Sequence, residues 1–122
     1  MQKTSYFARA AQEPGTVSIA RFPPKWYTGA RCLPLAPTAG MIRIMDWHEY
    51  RLRYHDEILS VPGPDEVLRD PGVNRSDHDI LLLCFEKWRA DCHRGLVAVW
   101  LRETRGIGVP ELGDESVTLV PV

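Results

Sequence analysis

Residues 79–85 read DILLLCF, a short apolar run with no polar alternation. Such a run, bounded by polar residues, is how a strand covered on both faces reads, most often within a parallel sheet. The residues downstream strengthen the assignment. Asp91 is placed to cap a helix over Cys92–Arg105, Leu96, Val97, Trp100 and Leu101 form an apolar stripe, and Gly106 supplies the residue past its end. Ile107–Leu112 (IGVPEL) then predicts a short strand. Strand, helix and strand within 34 residues make a right-handed βαβ unit. The expected class is α/β: a small, mostly parallel sheet with this βαβ unit, helices packed on it, and a long Pro-rich loop.

The remaining elements are read around that unit. Lys3–Ala8 and Thr16–Ala20 have the aromatic and β-branched content of strands, and the Glu13-Pro14-Gly15 turn between them predicts a hairpin. Residues 21–40 hold four of the ten prolines, and Pro23 and Pro24 cannot sit in a central strand. This stretch also carries Trp26, Tyr27, Leu33 and Leu35, so an ordered flap is expected. Asp46–Leu59 predicts a helix, with Asp46 and Glu49 as a capping box and Trp47, Tyr50, Tyr54 and Ile58 on one face. Pro62-Gly63-Pro64 ends it, Asp65–Arg69 adds a helical turn, and Val117–Val122 is a candidate edge strand. There is no internal repeat.

Composition sets the outer limits. A chain of 122 residues, 44% hydrophobic and 25% charged, suits one soluble domain spanning 1–122. No apolar run approaches the ~18 residues of a membrane span, and the first fifteen residues lack the apolar stretch of a secretory signal. Three cysteines, an odd number, fit a reduced chain, so a cytoplasmic location is expected. The net charge of −1 argues against a general nucleic-acid coater. It is a cancellation: residues 1–45 carry six basic groups and one acid, residues 46–122 nine basic groups and fifteen acids. Arginine outnumbers lysine twelve to three, which suits phosphate or carboxylate recognition but follows equally from coding bias.

The segment CFEKWRADCHRG, Cys84–Gly95, joins the central strand to its helix. Ligands of open α/β sheets bind beyond the carboxyl ends of the strands, and a helix N-terminus there offers free N–H groups to an anion. Arg94 would add a planar fork for phosphate or carboxylate. Cys92, beside His93 and Arg94, is the candidate nucleophile, with His93 or Glu86 moving the proton. The plainer alternatives are that Cys92 and Cys84 are small buried core residues and that Arg94 pairs with an acid such as Asp91. A redox pair of Cys84 and Cys92 is a third reading, and it needs Cα atoms no more than ~7 Å apart. No metal is expected: the C-x₇-C-H spacing fits no zinc finger or ribbon, His48 and His55 are seven residues apart, and His78 precedes the strand.

The loop after the second strand supplies further candidates. Ser18 and Arg21 stand at its start, followed by Lys25, Trp26 and Tyr27. Two cations interleaved with two aromatics either clamp a phosphate and stack a base, or form the flap's own small core. There is no Walker A loop, no G-x-G-x-x-G, no G-x-S-x-G and no Cys-x₅-Arg, so no cofactor is implied.

Several blocks together resemble the DUF488, or YeaO-like, family: TSYFA (Thr4–Ala8), VSIARFPPKWYTG (Val17–Gly29), LAPT (Leu35–Thr38), LLCFEK…CHRGLVAVWL (Leu82–Leu101) and a closing VPEL. The resemblance covers about Thr4 to Leu112 and leaves 113–122 as an extension. It implies a compact α/β fold and marks Ser18, Arg21, Cys84, Glu86, Cys92, His93 and Arg94 as motif positions. It implies no particular reaction. The expected function is binding of an anionic, phosphate-bearing ligand, a nucleotide or nucleic-acid end, at the strand-to-helix junction, with or without cysteine-dependent catalysis. The alternative is a non-catalytic binding or regulatory module. The expected partner is therefore a small phosphate-bearing molecule or nucleic acid, and not a membrane.

Overall fold

A computed structural model describes residues 2–60, 63–69 and 79–113. Its elements in chain order are β1 (Gln2–Tyr6), α1 (Phe7–Ala10), β2 (Thr16–Ser18), β3 (Ala30–Arg31), α2 (Trp47–Tyr54), α3 (Pro64–Leu68), β4 (Ile80–Cys84) and α4 (His93–Arg105). The four strands form one sheet in the order β1-β4-β2-β3 with every pairing parallel. The α/β class is therefore as the sequence predicts.

The apolar run becomes the centre of the sheet. All five β4 residues are buried. Ile80, Leu82 and Cys84 face a large cluster with Val17, Tyr54, Val97 and Leu101, while Leu81 and Leu83 face a smaller one with Phe7, Ala10 and Ala20. A period of two with both faces apolar is what a strand sandwiched between helical layers requires. Each fully buried leucine contributes about 1.5–3 kcal/mol.

The predicted hairpin does not form. β4 lies between β1 and β2 and pairs Gln2–Tyr6 with Ile80–Cys84 on one side and Thr16–Ser18 with Leu81–Leu83 on the other. The helical turn α1 carries the chain across β4, and Gly15 at φ 77 lets it re-enter in the parallel sense. An apolar strand with two open edges recruits both neighbours, and this outweighs the short link.

The third strand of the expected βαβ unit, Ile107–Leu112, is reduced to a single parallel bridge, Thr4 to Glu111. The Thr4 N–H donates to the Pro110 carbonyl at 2.9 Å and the Leu112 N–H to the Thr4 carbonyl at 2.8 Å. Pro110 has no N–H to extend the ladder.

The 21–40 segment is not one unbroken loop. It supplies β3 and a 3₁₀ turn at Leu33–Leu35, and a second such turn follows at Met41–Arg43. α2 starts at Trp47 with Asp46 as its cap, but the Asp46 carboxylate accepts from the His48 N–H at 3.1 Å, one residue short of a capping-box bond. Tyr54 and Ile58 are buried, Trp47 and Tyr50 pack partly against the core, and the helix ends in a π-turn, His55–Leu59. α4 has the expected stripe and closes on Gly106 in the left-handed region, φ 65. The candidate edge strand Val117–Val122, Pro62 and His78 lie outside the described residues. Among the described residues no helix is long and apolar enough to cross a membrane.

Candidate active site

The site forms where β4 ends and α4 begins. After Cys84 the chain runs through the exposed residues Phe85–Trp88, makes a 3₁₀ turn at Arg89–Asp91, and enters α4 with Cys92 as its cap. The cap is thus one residue later than expected, and Cys92 caps without a side-chain hydrogen bond. The turn folds so closely on the helix that a Cβ on Gly95 would meet the Arg89 carbonyl oxygen at 2.7 Å. This return brings Cys92 and His93 beside Cys84.

Arg94 holds the junction together. It is completely buried, and all five of its N–H donors are taken. Nε donates to Glu111 Oε1 at 3.0 Å and Nη2 to Glu111 Oε2 at 2.8 Å. Nη2 also reaches the Lys87 carbonyl at 3.0 Å, while Nη1 reaches the Glu86 carbonyl and the Cys84 sulfur, the latter at 3.1 Å. The expectation that Arg94 forks an external anion is therefore corrected: a saturated guanidinium has no donor left for a ligand. Its acid partner is Glu111, which also accepts from the Thr4 hydroxyl at 2.7 Å. Arg89 adds a second tie, to Thr4 Oγ1 at 3.0 Å and the Val109 carbonyl at 2.7 Å.

His93 is buried against Tyr54, their rings 5.3 Å apart. Its Nε2 lies 2.8 Å from the Ile19 carbonyl oxygen. A carbonyl only accepts, so Nε2 carries the proton and Nδ1 has a free lone pair, 3.8 Å from the Cys92 sulfur. Burial pushes the imidazole pKa down to about 4, against the Ile19 bond and with help from the Arg94 charge. His93 is neutral at pH 7, an acceptor or ligand and not a proton-charged acid.

Cys84 and Cys92 meet sulfur to sulfur as a disulfide pair with Cα atoms 7.2 Å apart, while the third cysteine, Cys32, is buried and lies outside that pair. The donor atoms of Cys84, Cys92 and His93 all lie within 4.8 Å of one another. The sequence spacing fits no zinc motif, and the fold nevertheless brings together two cysteines and a histidine that could ligate an ion when the disulfide is open. Spacing rules for zinc knuckles describe local turns, whereas this triad is closed by an eight-residue excursion from strand to helix.

A cavity of about 570 Å³ opens on this centre. It is lined by Cys84, Glu86, Cys92 and His93 from the junction, by Arg21 and Phe22, and by Ile42, Ile44, Met45, Trp47 and Tyr50. Trp47 and Tyr50 stack at 5.4 Å and 14°. Burial, and then the Glu86 charge, push the Tyr50 hydroxyl pKa up, so it stays protonated.

The proposed clamp on the other loop is only partly assembled. Arg21 lines the cavity; Lys25, Trp26 and Tyr27 do not. The Tyr27 N–H closes a turn on the Pro24 carbonyl at 3.0 Å, and its ring packs edge-on to Phe7 at 5.3 Å, on the opposite face of the sheet. Its hydroxyl donates to the Ala30 carbonyl at 2.8 Å. Trp26 and Lys25 are exposed. Ser18 is buried and accepts from the Ala20 N–H at 3.2 Å, which shapes the bend that delivers Arg21. Within the basic N-terminal stretch, Lys3 pairs with Asp79 at 2.9 Å.

Sequence reasoning missed Trp47, Tyr50 and Glu111. The first two were hidden in an ordinary helix stripe. Glu111 gave no local signal, since its partner is seventeen residues away.

Residues 10–105 match the DUF488-N3a family model, described as the active DUF488-N3 subclade. The chain belongs to the DUF488 family. The match spans β2, the cavity wall on α2 and the whole junction of this DUF488 chain, and it leaves β1 and Glu111 outside. No curated protein and no solved structure matches the chain.

Proposed function

We propose that the cavity binds a small ligand carrying a flat ring and an anionic group, a nucleotide or nucleic-acid end being the leading class, and presents it to the Cys84–Cys92–His93 centre. The observation that carries this reading is that one cavity is lined by both halves of such a site. The stacked Trp47–Tyr50 wall suits a ring, and Arg21 is a cation at the same opening. Glu86 adds an acceptor for ring N–H groups. The buried sulfurs and imidazole are the reactive groups on that lining. Of Arg94, Arg21 and Lys25, the three cations expected to hold the anion, this reading keeps Arg21, which lines the cavity.

A thermal-shift screen with nucleotides, sugar phosphates and short oligonucleotides tests the proposal. A ligand at 100 times its Kd stabilises by about 2.7 kcal/mol, or several degrees for a domain of this size. Trp47→Ala is expected to remove the shift. If no phosphate-bearing compound moves the transition, the reading fails.

A further inference from the structure

We propose that Cys84, Cys92 and His93 form a three-ligand site for a zinc-type divalent ion, with the fourth coordination position open to the cavity. The triad stands on its own geometry. Only the role of the open position rests on the ligand-binding reading above.

Four observations converge. The three donor atoms lie within 4.8 Å of one another and all three residues are buried. The His93 tautomer is already fixed for ligation: Nε2–H donates to the Ile19 carbonyl at 2.8 Å, which turns the Nδ1 lone pair toward Cys92. A backbone carbonyl on the far ring nitrogen is the usual outer partner of a metal-bound histidine. The 7.2 Å between the two cysteine Cα atoms exceeds the ~4.4–6.8 Å typical of disulfides. Two thiolates each ~2.3 Å from a shared ion need that wider spacing.

Charge is the fourth. Exchange with two equivalents of a small thiol opens the Cys84–Cys92 disulfide, the small thiol leaving as its own disulfide. The resulting two thiolates and a divalent ion sum to neutrality, and the neighbouring Arg94–Glu111 pair, at 2.8 Å, is neutral as well. The Arg94 Nη1 donor on the Cys84 sulfur, at 3.1 Å, steadies that thiolate. A buried centre with no net charge avoids the cost of an uncompensated ion. Two sulfurs and one imidazole select zinc or a similar borderline-soft ion over magnesium or calcium. Three protein ligands with an open fourth position are the pattern of catalytic and not structural zinc sites. Cys84, Cys92 and His93 all line the cavity, so that position faces the ligand or a water.

The experiment is metal analysis of the full chain purified under reducing conditions, together with Co²⁺ substitution. About one zinc per chain is expected, and the Co²⁺ form is expected to show thiolate-to-cobalt charge-transfer absorption and tetrahedral visible bands. Cys92→Ser and His93→Ala are expected to lose most of the metal, whereas Cys32→Ala keeps it. Because Cys84→Ser also takes an acceptor from Arg94, the wild-type Co²⁺ spectrum is the measurement that needs no variant. A reduced wild-type chain that takes up neither Zn²⁺ nor Co²⁺ overturns the proposal. So does a chain isolated under those conditions with Cys84 and Cys92 disulfide-linked and no metal, or metal retained in both Cys92→Ser and His93→Ala. The thermal-shift screen uses phosphate compounds and no metal readout, so either proposal can fail while the other survives.

Discussion

The junction Cys84–Arg94 and the Pro-rich segment 21–40 each bring an arginine and aromatic residues toward the same end of the sheet, and they use them in opposite ways. Arg94 is fully buried with every donor satisfied inside the protein. Arg21 is exposed at the cavity, and the backbone carbonyl beside it accepts from Arg31 at 3.3 Å. One guanidinium is taken up inside the protein and the other stands exposed at the cavity. A residue's chemistry therefore does not assign its role; its saturation does. His93 links the two regions, since its ring bonds the Ile19 carbonyl, two residues before Arg21.

The largest effect is expected at Arg94. Arg94→Ala leaves the Glu111 carboxylate, whose side chain is only 14% exposed, without its ion partner, and frees the carbonyls of Glu86 and Lys87. Breaking a buried pair by removing one member costs about 3–5 kcal/mol, to be read from urea unfolding. Arg94→Lys is expected to rescue little, because an ammonium has three donors where five acceptor contacts wait. If Arg94→Ala unfolds like the wild type but loses ligand binding, the contrast between the two arginines is reversed.

The linking histidine gives a pH test on the metal-free protein. The folded His93 pKa of about 4 lies below the ordinary 6.5. As pH falls through 6.5 the unfolded chain takes up a proton that the folded chain refuses until about pH 4, so stability is complete above 6.5 and declines between the two values. The full decline is roughly 3 kcal/mol. Unfolding midpoints compared at pH 7 and pH 5 should show it, and His93→Gln should flatten it.

Gly95 gives the next effect. Its absent Cβ is where the Arg89 carbonyl sits, at 2.7 Å, whereas a Cβ on Gly40 at the end of the Pro-rich segment meets nothing within 4 Å. Gly95→Ala should force the 3₁₀ turn away from α4 and destabilise by about 1–3 kcal/mol, as overpacking does. Gly40 sits at φ −67, so Gly40→Ala is expected to be neutral or slightly stabilising. Equal losses from the two would show that the junction is not tightly closed.

The same difference explains what the sequence reveals. The β4 run, the α4 stripe and the Cys84–Arg94 cluster are legible because regular elements fix their neighbours by period and proximity. The hairpin misleads because local link length says nothing of an apolar strand arriving sixty residues later to pair with both partners. Tyr27 misleads because one turn on Pro24 sends it across the sheet. The Cys84–Cys92–His93 triad escapes spacing rules, and Glu111 is invisible, because both depend on tertiary return of the chain.

The smallest effects on stability are expected in the Pro-rich segment, and there the comparison is sharpest. Arg21, Lys25 and Trp26 are all exposed, so replacing any of them by alanine should change unfolding by no more than about 0.5 kcal/mol. Their effects on ligand binding should nevertheless divide. Arg21 lines the cavity, and Arg21→Ala should remove most of the thermal shift produced by a phosphate-bearing ligand. Lys25→Ala and Trp26→Ala should leave the shift intact, because neither side chain borders the cavity. If the lysine and tryptophan variants lose the shift instead, the segment closes over the ligand as a clamp after all, and the open wall of Trp47 and Tyr50 is not the ring's seat. Loss from Arg21 alone would assign the anion to one cation that the protein leaves unsaturated while spending every donor of its buried counterpart on the scaffold.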